Sequence, residues 1–189
     1  MRIGLLGGSF NPAHEGHRMI SLFALRRLGL TQIWWLVSPQ NPLKPSRGMS
    51  PLKARMEKAH LVANHPKIFV SDIEARLGTR FTVDTLIALK KHFPRAEFVW
   101  LMGADNMKQL PCWRDWQHIF DLAPVAVLRR PGYAAGRGLG KPAQRFRKAW
   151  VPAKRGKKLM EAKLPAWTVL DNPLSRASAT EIRKQQKEK

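Results

Sequence analysis

The segment Gly7–His17, which reads GGSFNPAHEGH, lies between two patterns that together indicate a strand, a turn and a helix. Before it, Arg2–Gly7 is a short apolar run ended by glycines, and this predicts a buried strand. After it, apolar residues recur at helical spacing over His14–Leu28, and Gly29 supplies a stop signal. The segment itself is therefore predicted to be the turn that follows the first strand.

The rest of the chain continues this alternation of strand and helix. The predicted strands are Ile33–Val37, Ile68–Val70, Phe98–Met102, Val125–Leu128 and Trp167–Leu170. The predicted helices are Pro51–Ala63, Thr82–His92, Trp113–Leu122 and Ser178–Lys189. The alternation predicts a single α/β domain over residues 1–189, Rossmann-like and doubly wound, with a mostly parallel sheet flanked by helices.

In sheets of this kind, ligands bind beyond the carboxyl ends of the strands, where the strand order reverses. The predicted site therefore draws on residues 8–17, 38–45, 103–106 and 129–130, which follow four different strands. No internal repeat or second domain is evident. The first of these segments carries the most distinctive chemistry.

Two histidines in that first segment, His14 and His17, are three residues apart, so at a helix start both side chains point to one face. The free N–H groups of the helix N-terminus favour anions, and Gly16 leaves room for a ring or a sugar. Gly7 and Gly8 permit a sharp turn and a close approach of ligand to the backbone, so the segment indicates a phosphate-binding cradle. Taken alone, the histidines are equally consistent with a surface pair or half of a metal site, although no nearby cluster supplies further ligands.

The charge of the chain is strongly basic, with a net value of +21 that suggests polyanionic partners. Residues 129–163 hold twelve of the 34 Lys and Arg residues and one acid, Glu161. We interpret 133–163 as a flexible basic insertion with a solvated surface, and we expect no specific nucleic-acid binding. No apolar stretch reaches the roughly 20 residues of a membrane span, and Cys112 is the only cysteine, so we expect a soluble, cytoplasmic protein without a membrane partner. The oligomeric state is left open.

The segment Gly7–His17 resembles the opening motif of the His-x-Gly-His nucleotidyltransferases, and most of all that of bacterial nicotinate-nucleotide adenylyltransferases, Gly-Gly-Thr-Phe-Asp-Pro-x-His-x-Gly-His. Here Ser9 stands in place of Thr and Asn11 in place of Asp. Further matches follow in the family's order at Pro39–Lys44, Phe81–Thr85, Gly103–Asp105, Leu110–Trp113, Arg129–Gly132 and Ser178–Arg183. The first and last motifs are together highly specific, and the matches extend over most of the chain.

This resemblance implies transfer of the adenylyl group of ATP to nicotinate mononucleotide, with Mg²⁺ carried on the ATP and no metal ligand from the protein. The residues that it implies in catalysis are His14, His17 and Arg183. Those that it implies in ATP binding are Gly8, Ser9, Phe10, Gly16, Gly103, Asp105, Ser178 and Thr180. Those that it implies in binding the second substrate are Asn11, Lys44, Thr82 and Trp113.

Each of these roles has a plainer alternative. Trp113 is compatible with a core position, Asp105 and Thr82 with helix caps, and Arg183 with a solvated helix face, while Arg55 is interpreted as an ion-pair partner. Nicotinamide mononucleotide, phosphopantetheine and a phosphorylated alcohol remain alternative acceptors. A nucleic-acid-binding protein on an inactive scaffold is the alternative from another class, and the intact histidine pair argues against it.

Overall fold

The computed structural model describes residues 1–39, 48–132 and 140–174, together with Ala179, Ile182 and Arg183. The strands within these ranges are β1 (Arg2–Gly8), β2 (Gln32–Val37), β3 (Ile68–Ser71), β4 (Glu97–Gly103), β5 (Val125–Leu128) and β6 (Trp167–Leu170). The α-helices are α1 (Glu15–Leu28), α2 (Leu52–Ala63), α3 (Ile73–Arg76), α4 (Thr82–His92), α5 (Ala104–Gln109), α6 (Trp116–Leu122) and α7 (Lys141–Arg145). Short 3-10 helices lie at Leu110–Cys112, Arg147–Ala149 and Ala153–Glu161.

The six strands form one sheet in the order β3-β2-β1-β4-β5-β6, and every neighbouring pair is parallel. The chain runs outward from β1 to β3 and then returns to add β4, β5 and β6 on the other side. The order therefore reverses between β1 and β4, which pair directly. This confirms the predicted doubly wound α/β domain and puts its switch point at the end of the first strand.

The sheet is buried on both faces, which explains why its strands read as nearly continuous apolar runs. One core layer contains Leu86 of α4 and Phe120 of α6, and the other contains Leu28 of α1 and Ala59 of α2. Each of these side chains is fully buried, and burial of a side chain as large as Leu or Phe stabilises the fold by about 1.5–3 kcal/mol. Packing on both faces thus holds the carboxyl ends of the strands at one edge.

The structure differs from the sequence prediction where elements are short. Neither α3 nor α5 was predicted, because helices of four and six residues are too short to show a period. The predicted helix Trp113–Leu122 begins at Trp116 instead, after a turn in which Asp115 has a positive φ of 47°.

The basic segment also differs from its prediction as a flexible insertion without elements. Residues 133–139 lie outside the described residues, but α7 and two 3-10 helices follow them. Ala143 and Leu159 from this segment are buried in the two core layers. Tertiary packing, rather than an intrinsic helical pattern, orders residues 140–163.

Candidate functional site

Buried Arg55 joins the loops that follow β1 and β2. Its guanidinium donates hydrogen bonds to the carbonyl oxygens of Ser9 (2.6 Å), Ser38 (2.8 Å), Pro39 (3.0 Å) and Ser50 (2.9 Å). The residue is only 3% exposed, and this burial lowers its pKa. The predicted ion-pair role is wrong, because backbone carbonyls and no described acid satisfy the guanidinium. Arg55 was missed as a site residue because nothing in its helix signals these distant carbonyls.

The turn after β1 is held by aromatic packing around Phe10. The Phe10 ring stacks on Trp35 with centroids 5.1 Å apart, and it lies 4.9 Å from the His17 ring. Phe10 has a positive φ of 44° and is 2% exposed. The predicted contact of Phe10 with ATP could therefore involve only its backbone. Its side chain positions His17.

A buried hydrogen-bond chain attaches the start of α1 to β2. The indole Nε1 of Trp35 donates to Ser21 Oγ at 2.8 Å, and Ser21 Oγ donates to the His17 carbonyl, also at 2.8 Å. Ser21 is fully buried, so this chain is shielded from water. The backbone that carries His17 is thereby held against the sheet.

The two histidines of the turn lie side by side, with ring centroids 3.8 Å apart. The backbone N–H of His14 donates to His17 Nδ1 at 3.2 Å. Because Nδ1 accepts this bond, a neutral His17 carries its proton on Nε2. Burial, followed by the positive charge of Arg130, lowers the pKa of His14 below its usual value of 6.5. His14 is therefore neutral at pH 7, and its buried Nδ1 has no hydrogen-bond partner among the described residues.

At the end of β4, Gly103 and Asp105 meet Arg130 from the loop after β5. Arg130 Nε lies 3.2 Å from Asp105 Oδ1, which forms an ion pair without hydrogen-bond geometry. A Cβ on Gly103 would lie 2.2 Å from Asp105 Oδ1 and 2.9 Å from Arg130 Nε. Any residue other than glycine at position 103 would therefore displace this carboxylate. The segments 103–106 and 129–130, predicted to share one site, do meet here. The sequence analysis gave Arg130 no individual role, although its position directly after a strand indicated a site residue.

An open pocket lies between the strand ends and the start of α4. Its lining includes Gly8, Thr82 and Trp113, which the sequence singled out, and also Trp100 of β4. A Cβ on Gly7 would lie 2.7 Å from the Trp100 ring, so Gly7 is needed for that ring to form the pocket wall. Trp113 is half-buried, which leaves part of its ring available to a ligand.

Glu74 of α3 lines the same pocket and was not predicted. The residue is 8% exposed, and Thr85 Oγ1 donates to its Oε1 at 3.5 Å. Burial raises the pKa of Glu74 to about 7, while hydrogen bonds with Ser38 and Thr85 act in the opposite direction. Because α3 has only four residues, the sequence carried no signal for this carboxyl group.

The outer rim of the pocket is positively charged. Arg114 donates to Asp84 Oδ2 at 2.6 Å, and its guanidinium lies 4.3 Å from the centroid of the Phe81 ring. Arg80 also lines the pocket, and its guanidinium carbon lies 5.9 Å from the centroid of the same ring. Because Asp84 pairs with Arg114, Arg80, which has no ion pair among the described residues, supplies the positive charge that favours an anionic ligand.

Asn11 connects the first turn to two other parts of the chain. Its Nδ2 donates to the Gly48 carbonyl at 3.1 Å, and its Oδ1 accepts from the Ser50 N–H at 3.3 Å. An aspartate could not donate the first of these bonds, so the Asn found here suits this contact. Arg183 Nη1 donates to the Asn11 carbonyl, which brings the last motif to the first. The side chain of Asn11 is thus engaged by protein, and its predicted substrate contact stays a prediction.

Three predicted site residues, Lys44, Ser178 and Thr180, lie outside the described residues. Gly16 is buried at the start of α1. Within the described ranges, no group of three or more His, Cys, Asp and Glu residues could hold a metal ion, and no helix is long and apolar enough to cross a membrane.

The comparison with protein families matches residues 5–185 to the cytidylyltransferase-like family. A relative from Parvibaculum lavamentivorans, named a probable nicotinate-nucleotide adenylyltransferase, is 51% identical over 97% of this chain and 91% of its own length. A relative of the same name from Cereibacter sphaeroides is 52% identical over 97% of both chains.

Solved structures show the same fold at lower identity. Plasmodium falciparum nicotinic acid mononucleotide adenylyltransferase complexed with NaAD superposes with a TM-score of 0.72, at 17% identity, over 97% of this chain and 82% of that chain. Its complex with APC gives a TM-score of 0.70 at the same identity and coverage. These likenesses show that the fold is shared.

Proposed function

The chain belongs to the cytidylyltransferase-like family and, within it, to the nicotinate-nucleotide adenylyltransferases, and on that premise we propose that it transfers the adenylyl group of ATP to nicotinate mononucleotide. The products are nicotinate adenine dinucleotide and pyrophosphate. One observation carries the proposal: two adjacent imidazoles begin α1 at the point where the strand order reverses. That position suits a polyphosphate.

In the proposed reaction, a phosphate oxygen of the mononucleotide attacks the α-phosphorus of ATP, and the bond to pyrophosphate breaks. A phosphate is nucleophilic at neutral pH, so the protein has to position the reactants and stabilise the charge that develops on the leaving group. A neutral His17 with its proton on Nε2 can donate one hydrogen bond to these oxygens. His14, whose lowered pKa keeps it neutral at pH 7, can donate a second.

The remaining ATP contacts follow from the strand ends. The backbone of Gly8, Ser9 and Phe10 surrounds the triphosphate, and Gly16 leaves space beside it. Asp105 accepts hydrogen bonds from the ribose hydroxyl groups, and Gly103 keeps its carboxylate in position. Arg183, with Ser178 and Thr180, forms a second clamp on the phosphates, and its bond to the Asn11 carbonyl supports this arrangement.

Mg²⁺ enters the site as part of the ATP substrate. The described residues contain no cluster of three metal ligands, whereas phosphate oxygens are the ligands that Mg²⁺ prefers. The ion neutralises charge on the triphosphate, and the protein then binds the complex through neutral and cationic donors. The cytoplasm supplies both substrates and the metal.

The pocket beside Trp113 receives the second substrate. The half-buried indole suits stacking on a pyridine ring, and Thr82 at the start of α4 lies on the same lining. The positive charge of Arg80 on this lining supports an acidic ring substituent over a neutral amide. Lys44 is assigned to the phosphate of this substrate.

The test is a parallel assay of the purified protein with ATP and each of two mononucleotides, the nicotinate and the nicotinamide form. Release of pyrophosphate and formation of the dinucleotide are both measured. We expect the dinucleotide to form when ATP is supplied together with nicotinate mononucleotide. The kcat/KM for nicotinamide mononucleotide should be lower. A clear preference for the amide, or turnover with phosphopantetheine alone, would overturn the assignment.

A further inference from the structure

Six exposed cations, on the last turn of α1 and on the 3-10 helix packed against it, form what we call the basic surface. Its members are Arg26, Arg27, Lys154, Arg155, Lys157 and Lys158. None of them has an ion pair within the described part of the chain. The proposed reaction uses none of these side chains.

The fold fixes the basic surface on a packed scaffold. The 3-10 helix Ala153–Glu161 lies against the end of α1, where a Cβ on Gly156 would be 2.8 Å from the Arg27 carbonyl oxygen. From the same helix, Leu159 is fully buried in the core. The Lys157 side chain packs beside Gly29, which ends α1. The cations are therefore presented by ordered backbone, which lowers the entropy cost of binding a ligand.

The basic surface lies at the opposite edge of the sheet from the proposed active site. Helix α1 begins beside His14 and ends at Leu28, and its 14 residues separate the two ends by about 20 Å. Val151 N–H donates to the carbonyl of Trp167, the first residue of β6, at 2.8 Å. Since all strands are parallel, the start of β6 is on the amino edge. A ligand here would leave the ATP site open.

Acidic residues do not neutralise this surface. The described segment 140–174 contains two acids, Glu161 and Asp171. Glu161 pairs with Arg2 and Asp171 pairs with Arg129, so both acids are already engaged by cations outside the surface. The uncompensated positive charge favours a polyanion with closely spaced phosphates.

One aromatic side chain accompanies these cations. Trp150 is 51% exposed and lies three residues before the 3-10 helix Ala153–Glu161 that carries four of the cations. Cations that track a phosphate backbone and an exposed ring on which a base can stack are the two components of single-strand binding sites. An anionic membrane would instead call for a continuous apolar helix face, and this segment has short 3-10 turns.

We propose that the basic surface binds single-stranded nucleic acid through its phosphates, without reading sequence, and that Trp150 stacks on one base. The interaction is a second function of the chain and does not rest on adenylyl transfer. It accounts for the concentration of positive charge in residues 140–163, none of which lines the pocket at the other edge.

Fluorescence anisotropy with a labelled uridine homopolymer of about 20 nucleotides, longer than the site of one binding fold, tests this proposal. Combined Lys154→Gln, Arg155→Gln, Lys157→Gln and Lys158→Gln replacement should raise Kd at least about tenfold and reduce the slope of log K against log salt by about 3. Trp150→Ala should raise Kd about fivefold or more and leave that slope unchanged. A smaller salt slope identifies lost contacts to phosphates, whereas a higher Kd at the same slope identifies lost stacking on a base.

The matched control removes four exposed lysines elsewhere, by Lys53→Gln, Lys58→Gln, Lys67→Gln and Lys91→Gln. It changes the net charge equally and should weaken binding much less, and both quadruple variants should retain adenylyl transfer. Equal weakening by the two sets would show a net-charge effect and overturn the proposal. Absence of RNA binding at low salt, or binding to phosphatidylserine vesicles in preference to RNA, would overturn it as well.

Discussion

The two ends of helix α1 differ in how far their functional groups are exposed to water. Imidazoles lie at its start and arginines at its end. At its start, His14 and His17 are partly buried and in ring contact, and hydrogen bonds and stacked rings hold His17. At its end, Arg26 and Arg27 are exposed, without ion pairs among the described residues, and beside a further set of free cations. One helix thus joins a shielded site to an open one.

The difference shows what each kind of binding requires. Stabilising charge in a reaction needs donors that are already in position and shielded from water. Binding a flexible polyanion needs only a sufficient density of cations, because many weak contacts share the energy. The first end should therefore respond strongly to single substitutions, and the second only to several at once.

The largest effect is expected for His14→Ala. Removing one donor to the departing pyrophosphate should lower kcat about 100- to 1000-fold, with little change in the thermal midpoint. The matched substitution at the other end of α1, Arg26→Ala, should leave kcat unchanged. Steady-state kinetics of both variants measure the contrast, and equal losses would show that the two ends do not differ in this way.

Arg55→Ala should follow, because it removes the donor to four carbonyl oxygens, two of which belong to the half-buried residues Ser9 and Ser38. Each unsatisfied buried group costs about 1–3 kcal/mol, so we expect a loss of roughly 3 kcal/mol in the free energy of unfolding. Arg55→Lys should recover part of this, since an ammonium group still donates to some of the carbonyls. Denaturant unfolding gives these values, and Arg27→Ala, which removes an exposed guanidinium, should be nearly neutral.

The raised pKa of Glu74 predicts that the free energy of unfolding depends on pH. Its pKa is about 7 in the folded chain against 4.5 as the usual value, so the folded state holds an extra proton between these values. Stability from this group is present at low pH and is lost as pH rises through about 7, by about 2 kcal/mol between pH 5 and pH 8. Glu74→Gln should flatten that part of the stability curve. An unchanged curve in the variant would show that Glu74 does not titrate in this range.

The smallest effect is expected from a pair of glycine substitutions, one at each end. Gly103→Ala places a Cβ against the carboxylate of Asp105 and displaces it, so KM for ATP should rise about tenfold while stability changes little. Gly156→Ala places a Cβ against the Arg27 backbone, so it should lower the thermal midpoint and leave KM unchanged. If both variants raised the KM for ATP, the amino edge of the sheet would not be independent of the ATP site at the carboxyl edge.

The fold was predictable because its strands are apolar throughout and its long helices show a clear period. Helix α4, predicted from Thr82 to His92, has these bounds in the structure. The short helices α3 and α5 were missed, and with them Glu74, since a run of four to six residues has no period to detect.

The sequence by itself determined the alternation of strands and helices that indicates a doubly wound sheet and the place of the histidine pair after the first strand, because those depend on local patterns. Only the tertiary structure decided that Arg55 binds carbonyls from two loops, that Asp105 meets Arg130 and that the basic segment packs on the end of α1. These contacts join residues far apart in the chain, and a local pattern carries no information about which distant partner will satisfy a buried charge.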